Sequence, residues 1–262
     1  MENICVHMFY LLCLYWYAAA PYPEVKHMAQ TMDMAIGSIH LENPKTALRT
    51  KDEVRYRIAE TGIVPAIRVG SEDDALFVAE ALAAGGIPIV EISTVFPGAF
   101  HAISHVAERL PEITVGAGNI LNIETARRCL DEGAQFLTTD GLIENVVELA
   151  IREDVVVFPG ALTPTEVIAA WQSGADFVKV MPCDAVGGAN YIRSLTFAMP
   201  QIRLIAAGGI NQRTALSFIT AGATALGVGR DLIPAEAVRS RQAQRIQELA
   251  RRFLSSVDNG RN

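Results

Sequence analysis

The chain has 262 residues, half of them apolar, and a formal net charge of −7 at pH 7. This length suffices for one domain with a large core, and the acidic balance argues against a nucleic-acid binder, which needs a basic face. Proline and glycine are not in excess, which argues against extensive disorder.

The first fifty residues differ from the rest. Residues 4–20 form an apolar run that is short for a membrane span, and Glu2 stands where a secretory signal would carry basic residues. Two interpretations stay open: a signal or anchor in residues 4–20, and an extension outside the folded domain with a loose linker over residues 21–50. We favour the second, which places the domain at residues 51–262 and makes a membrane partner unexpected.

From Val54 onward, short apolar runs rich in β-branched residues alternate with amphipathic helical stretches. This alternation is typical of a parallel sheet. The runs predict eight strands, at Val64–Arg68, Pro88–Ser93, Thr114–Gly118, Phe136–Asp140, Val155–Ala161, Asp176–Pro182, Arg203–Gly209 and Ala225–Gly229.

Helices are predicted between the strands, and several of them end at a glycine, as helix C-termini often do. The even spacing of the strands favours closure, and no GxGxxG motif opens the first unit. We therefore predict an α/β fold of the (β/α)8 TIM-barrel type, whose chemistry is located at the C-terminal strand ends. The predicted helices include Glu72–Ala84, Ala99–Arg109, Ile123–Glu132, Ile143–Arg152, Pro164–Ser173, Gln212–Ala221 and a last one at Ala235–Leu254.

The four cysteines form no CxxC pair and no spacing typical of metal ligands. Unpaired thiols of this kind are typical of a reducing compartment. We therefore expect a cytoplasmic protein that uses no metal and no cofactor. The cysteines are Cys5, Cys13, Cys129 and Cys183.

Lys179 is the only lysine after Lys51, although arginine is plentiful over the same stretch. It lies inside an apolar strand, where a solvated lysine would not be expected. Burial disfavours the charged form of an amine, and a neutral amine in an apolar pocket is what attack on a carbonyl requires. The alternative is a buried lysine that is paired with a carboxylate for structural reasons.

Charged residues also end the first two predicted strands. Glu91 could move protons during Schiff-base formation, or it could form a structural ion pair with Lys179. Arg68 could hold a substrate carboxylate through two parallel hydrogen bonds, or it could form a salt bridge at the barrel mouth. Glycines follow the last two strands, at Gly208, Gly209 and Gly229, where many barrels bind phosphate; tight turning without an anion is the alternative.

Six segments together resemble the 2-keto-3-deoxy-6-phosphogluconate (KDPG) and 4-hydroxy-2-oxoglutarate aldolase family. The resemblance runs from about Tyr56 to Arg252, nearly the whole predicted barrel. The segments, in order, are Val90–Ser93, Val115–Gly118, Phe158–Glu166, Phe177–Pro182, Gly208–Asn211 and Gly227–Gly229.

The resemblance implies a metal-independent class I aldolase, usually a homotrimer, acting on a small keto acid. It implies Lys179 as the Schiff-base lysine, Glu91 as general acid and base, and Arg68 as a ligand of the substrate carboxylate. The remaining substrate-binding positions that it implies are Asn119, Thr139, Thr163, Gly208, Gly209, Gly229 and Arg230.

Six residues, at four places in the chain, depart from the family pattern. The family usually has Thr where Asn119 stands, Ser-Pro at Thr139-Asp140, Pro-Thr at Ala206-Ala207, and Ser at Arg230. Asn119 can still donate a hydrogen bond. Asp140 adds a negative charge near the expected position of an anionic substrate, which is unfavourable unless Arg68 or Arg230 offsets it.

Three functions remain. The first is cleavage of a 2-keto-3-deoxy sugar acid, with or without a phosphate, or of 4-hydroxy-2-oxoglutarate, to pyruvate and an aldehyde (glyoxylate in the second case). The second is a relative that binds a keto acid or sugar phosphate without aldol activity, as the altered substrate positions suggest. The third is a barrel isomerase or epimerase that uses Glu91 and a second acid, which would leave Lys179 as only a cation.

Overall fold

The computed structural model describes residues 49–262, so the predictions for residues 1–48 lie outside the described part of the chain. The strands are β1 Ile63–Ile67, β2 Ile89–Ser93, β3 Thr114–Gly118, β4 Phe136–Thr138, β5 Val156–Phe158, β6 Gly160–Ala161, β7 Val178–Val180, β8 Leu204–Ala207 and β9 Ala225–Val228. The helices are α1 Lys51–Thr61, α2 Glu72–Ala84, α3 Ala99–Arg109, α4 Ile123–Asp131, α5 Glu144–Arg152, α6 Pro164–Gln172, α7 Ala189–Ala198, α8 Ala215–Thr220, α9 Ala235–Arg239 and α10 Ala243–Arg261.

The strands form a barrel in which every pairing is parallel, in the order β5-β4-β3-β2-β1-β9-β8-β7-β6. The segments β5 and β6 are two halves of one predicted strand, separated by Pro159, which has no N–H to donate. Because β5 pairs with β4 and β6 with β7, the two ends of the order meet at this segment. The backbone N–H of Lys179 bridges the interruption by donating to the Pro159 carbonyl at 2.9 Å. The predicted (β/α)8 fold is confirmed.

The N-terminal end of the barrel is covered by α1. Thr50 and Glu53 form a capping box that starts this helix, which buries Val54 and Ile58. Those two side chains pack against the lower barrel interior, which includes the aromatic rings of Phe136, Phe158 and Phe177. The sequence analysis did not predict α1, because only two of its residues are buried among many charged ones.

The last helix was predicted as one element over Ala235–Leu254, and this prediction was wrong. The structure has α9, then a break, then α10, which continues to Arg261. The break contains Arg241 with φ of 51°, a left-handed conformation that a regular helix cannot contain. The Arg241 guanidinium stabilises the break from outside, because it pairs with Asp74 at 3.1 Å and lies over the Phe77 ring.

The barrel's outer layer is held by the apolar faces of the helices, with residues such as Leu82, Ile103 and Phe253 fully buried. None of the helices within residues 49–262 is long and apolar enough to span a bilayer. Because α1 covers the N-terminal end of the barrel, its open end is the one where the strands terminate, and the polar residues described next lie there.

Candidate active site

The site is centred on the amine of Lys179, in the middle of β7. The residue is 4% exposed, and its strand pairs at the same level with Gly160 and Ile205. The Nζ atom donates to Asp140 Oδ1 at 2.9 Å and to Thr138 Oγ1 at 3.1 Å. The predicted buried lysine is therefore present inside the barrel, with two oxygen partners from the end of β4.

Glu91 is joined to the same network through Thr138. The carboxylate is 5% exposed on β2, and its Oε2 accepts from the Thr138 hydroxyl at 3.2 Å. Thr138 thus accepts from Lys179 and donates to Glu91, so that one hydroxyl separates the amine from this carboxylate. The alternative of an ion pair between Glu91 and Lys179 is not seen, since the lysine pairs with Asp140 instead.

Glycines of β3 leave room for this arrangement. A methyl group at Gly118 would overlap the Glu91 carboxylate, and one at Gly116 would overlap the Phe136 ring. The two glycines therefore leave space for neighbouring side chains: Gly118 for the Glu91 carboxylate and Gly116 for the Phe136 ring. Glu91 pairs with Gly116 on the neighbouring strand, and this register brings the Glu91 side chain against Gly118.

Asn119 follows β3 in a left-handed conformation, with φ of 58°. Its Oδ1 accepts from Ser93 Oγ at 2.5 Å, and its Nδ2 donates to Asp140 Oδ2. Asparagine tolerates this backbone conformation better than most residues. Its side chain therefore joins the end of β2 to the carboxylate that pairs with Lys179.

Asp140 is half-buried, with 32% of its side chain exposed. Burial raises the pKa of its carboxyl. Three neighbours together lower this pKa by more: Lys179 through its charge and its hydrogen bond, the Asn119 amide through a hydrogen bond, and Arg68 through its charge. The pKa therefore lies below its ordinary value, and the group is an anion at neutral pH. The negative charge anticipated from the sequence is present, and the lysine itself offsets much of it.

Other predicted residues have different surroundings. Arg68 is exposed directly after β1, and it forms no ion pair with another described residue. The Thr139 hydroxyl donates to the Gly141 carbonyl and is outside the network around Lys179. Thr163 caps α6: its hydroxyl accepts from the Glu166 N–H at 3.3 Å, while its own N–H donates to Glu166 Oε2 at 2.7 Å. Their substrate-binding roles stay predictions.

The predicted glycines lie after two neighbouring strands, β8 and β9. Gly208 and Gly209 have φ of 82° and 88°. A methyl group at Gly208 would lie 2.8 Å from Pro182 Cα, and one at Gly209 would overlap Asp184. A methyl group at Gly229 would have its nearest neighbour at 3.9 Å, and Arg230 beside it is exposed. Tight packing explains the first two glycines, while Gly229 and Arg230 border open space.

Three members of the network, Thr138, Ser93 and Asp140, were not among the predicted site residues, although the sequence indicated the charge of Asp140. Thr138 and Ser93 end the strands β4 and β2, and both are fully buried. Strand alternation could have found Thr138, because residues two apart face the same side, so that Thr138 accompanies Asp140 while Thr139 faces away. Among residues 49–262, no group of three or more His, Cys, Asp or Glu side chains is placed to hold a metal ion.

Comparison with known proteins identifies the family to which this barrel belongs. The family described as KDPG and KHG aldolase matches residues 54–249. The KHG/KDPG aldolase of Escherichia coli K12 is 31% identical over 201 residues, which are 76% of this chain and 94% of that protein.

Solved structures show the same relationship. The KDPG aldolase of Legionella pneumophila, with pyruvate captured as a covalent carbinolamine, has a TM-score of 0.71 at 25% identity and covers 75% of this chain and 96% of its own. The Zymomonas mobilis enzyme with 3-phosphoglycerate has a TM-score of 0.69 at 27% identity and covers 79% and 96%.

The chain therefore belongs to the KDPG and KHG aldolase family. Membership assigns it to the class I aldolases, which are carbon–carbon lyases that act on small molecules.

Proposed function

We propose that this protein cleaves a 2-keto-3-deoxy sugar acid or 4-hydroxy-2-oxoglutarate to pyruvate and an aldehyde, through a Schiff base on Lys179 and without a metal. The observation that carries the proposal is the buried Nζ of Lys179, connected to Glu91 through the Thr138 hydroxyl. A nucleophilic amine with a proton-transfer group one hydroxyl away is what carbinolamine formation and dehydration require.

The remaining steps follow from the same residues. The amine attacks C2 of the keto acid, and loss of water leaves an iminium that withdraws electrons from the bond to be cleaved. Glu91 removes the proton of the C4 hydroxyl as the bond between C3 and C4 breaks, and it returns a proton to C3 of the enamine. Arg68 holds the substrate carboxylate, since it is exposed at the mouth and has no ion pair with a described residue.

We further propose that a phosphorylated substrate would place its phosphate beside Gly208, Gly209, Gly229 and Arg230. The strands before these residues are hydrogen-bonded neighbours, so their ends converge on one side of the mouth. The complex of the Zymomonas relative with 3-phosphoglycerate supports a phosphate group in the ligand class. Arg230 would add a full positive charge there.

The proposed enzyme is a homotrimer. Two large apolar side chains, Val95 and Leu121, are 65% and 68% exposed on the loops after β2 and β3, which are neighbouring strands. Exposed apolar groups that lie near each other are typical of a protein interface.

A second candidate function is binding of a keto acid without turnover. It is favoured by one observation: Asn119, which would contact the substrate carboxylate, instead donates to Asp140. Borohydride reduction separates the two candidates, because only covalent imine formation leaves a permanent adduct.

The first prediction is that incubation with pyruvate and borohydride adds a reduced pyruvyl group to Lys179, detected by peptide mass spectrometry. Lys179→Ala should give no adduct and no turnover, because the only other lysine within residues 49–262 is Lys51, which lies in α1. Lys179→Arg is the matched control, since it retains the cation beside Asp140 but cannot form an imine. Turnover by either variant, or loss of wild-type activity in EDTA, would contradict the proposal.

A further inference from the structure

Lys179 has a carboxylate on each side, and only one of them, Glu91, has a role in the reaction as proposed so far. Asp140 Oδ1 lies 2.9 Å from Nζ, closer than the Thr138 hydroxyl at 3.1 Å. Glu91 reaches the amine only through that hydroxyl. Asp140 is therefore the carboxylate in direct contact with the amine.

Asp140 is also held in place by two polar side chains that follow one another in a hydrogen-bonded series. Asn119 Nδ2 donates to its second oxygen, and Ser93 Oγ fixes the Asn119 amide from the other side at 2.5 Å. The hydrogen bonds run from Ser93 to Asn119 to Asp140, so Asn119 and Asp140, two of the six residues that depart from the family pattern, contact each other directly.

We propose that Asp140 is a second catalytic acid–base residue, which takes the proton of the Lys179 ammonium before the amine attacks C2. This inference rests on the proposed Schiff-base function. It divides the proton transfers between two carboxylates. Asp140 takes the first proton of the nitrogen and passes it to the C2 oxygen, while Glu91 takes the second proton of the nitrogen and serves the departing water and the C4 hydroxyl.

The proton balance is complete without any further reactant. The ammonium gives one proton to Asp140, and the free amine attacks C2 to form a cationic nitrogen and an alkoxide. Asp140 returns its proton to the alkoxide, which yields the carbinolamine. The nitrogen then loses a proton to Glu91 through Thr138, and Glu91 gives it to the hydroxyl, which leaves as water. Asp140 ends as an anion beside the iminium cation, which its charge stabilises.

The test measures how fast the pyruvate adduct forms in wild type, Asp140→Asn and Asp140→Glu, by quenching into borohydride at set times. Asp140→Asn should slow adduct formation at neutral pH by about tenfold or more, because positioned acid–base groups contribute at least this much. Asp140→Glu should recover part of the rate. The kcat for cleavage should fall more than KM changes.

The pH dependence provides a readout that a purely structural role would not alter. The charged groups facing Asp140 are Lys179 and Arg68, with Glu91 behind Thr138. The difference in the rate of adduct formation between wild type and Asp140→Asn should become smaller as the pH rises, because hydroxide then replaces the missing carboxylate as proton acceptor. Asp73→Asn is the matched control, since it removes an exposed carboxylate from the first turn of α2 and should not alter the rate.

The outcomes are distinct. An Asp140→Asn variant that forms the adduct as fast as wild type at every pH would overturn the inference and leave the proposed function intact. A loss of rate in Asp140→Asn that is the same at every pH, and that Asp140→Glu does not relieve, would have the same two consequences. A wild-type protein that forms no adduct would overturn the proposed function and the inference with it. If Asp140→Asn fails to fold, Asp140→Ser tests the same loss of a carboxylate.

Discussion

Thr138 is the residue on which the candidate site depends most at the scale of single side chains. Its hydroxyl is fully buried, accepts from Lys179 and donates to Glu91. Since a hydroxyl can accept and donate at once, it can pass a proton between two groups that do not touch. The roles of Glu91 and Thr138 can therefore be tested separately.

We expect Glu91→Gln to lower kcat by about a hundredfold or more, because the amide fills the same space beside Gly118 but cannot accept a proton. Steady-state cleavage assays on a panel of phosphorylated and free keto-deoxy acids would measure this. Glu148→Gln removes a carboxylate from the exposed side of α5 and should leave kcat unchanged. Wild-type activity in Glu91→Gln would mean that another group moves the protons.

We expect Thr138→Val to lower kcat by about tenfold or more while Lys179 can still form the adduct, since Val has nearly the same shape but no hydroxyl. Thr138→Ser, which retains the hydroxyl, is the matched control and should stay close to wild type. Pyruvate trapping and steady-state cleavage would be compared in the two variants. Equal kcat in Thr138→Val and Thr138→Ser would show that Glu91 acts on the substrate without this hydroxyl.

At the scale of elements, α1 closes the floor of the barrel. Val54 and Ile58 contact the lower interior, and Lys51 pairs with Asp176 at 3.2 Å across the same end. Asp176, 5% exposed, also accepts from the Val157 N–H at 3.1 Å. The helix is thus bound to the barrel by apolar packing and by a buried carboxylate.

Ile58→Ala should reduce the free energy of unfolding by about 2–5 kcal/mol, because it leaves a cavity beneath fully buried aromatic rings. Urea denaturation followed by circular dichroism would measure it. Tyr56→Ala is the control on the same helix, since Tyr56 is 68% exposed and should cost little. A loss of less than about 1 kcal/mol in Ile58→Ala would mean that α1 contributes little to the core.

The sequence predicted the elements best where the hydrophobic period was clear and the ends were marked by small residues. The bounds of β3, α2 and α3 match the predicted ones. The sequence did not predict α1 or the break before α10, because both depend on long-range contacts. Helix α1 packs against the N-terminal end of the barrel, and the break is stabilised by contacts of Arg241 with Asp74 and Phe77. Such contacts have no periodic signature in the chain.

For the site, the sequence predicted Lys179 and Glu91 because charged residues inside apolar strands are rare. It did not predict Thr138 as their link, because a threonine is ordinary in a strand and only the barrel's curvature brings β2, β4 and β7 to one point. The sequence also placed the charge of Asp140 near the substrate, but it could not show that the carboxylate contacts the lysine.

At the scale of the whole molecule, the proposed trimer depends on the exposed apolar side chains beside the mouth of the barrel. The exposed Val95 and Leu121 lie on the loops that border the mouth of the barrel, so an interface there would adjoin the active site. The separation of residues 1–50 from the domain stays a prediction.

Leu121→Asp should convert the trimer to a monomer, because a buried unpaired charge disfavours an interface by several kcal/mol. Native mass spectrometry or light scattering would report the state. Tyr56→Asp, an exposed apolar residue at the opposite end of the barrel, is the matched control and should stay trimeric. A wild-type protein that is already monomeric would refute the trimer, and a trimeric Leu121→Asp would exclude this surface as its interface.

The end of α10 is held at the floor of the barrel. Arg261 donates to the Glu60 carbonyl at 2.6 Å and to the Ala59 carbonyl, both in the last turn of α1. Asn262 therefore lies at the end of the barrel opposite the mouth. An affinity tag or fused domain attached after Asn262 would extend from the N-terminal end of the barrel. The enzyme could then be immobilised by this end with its substrate entrance facing the solution.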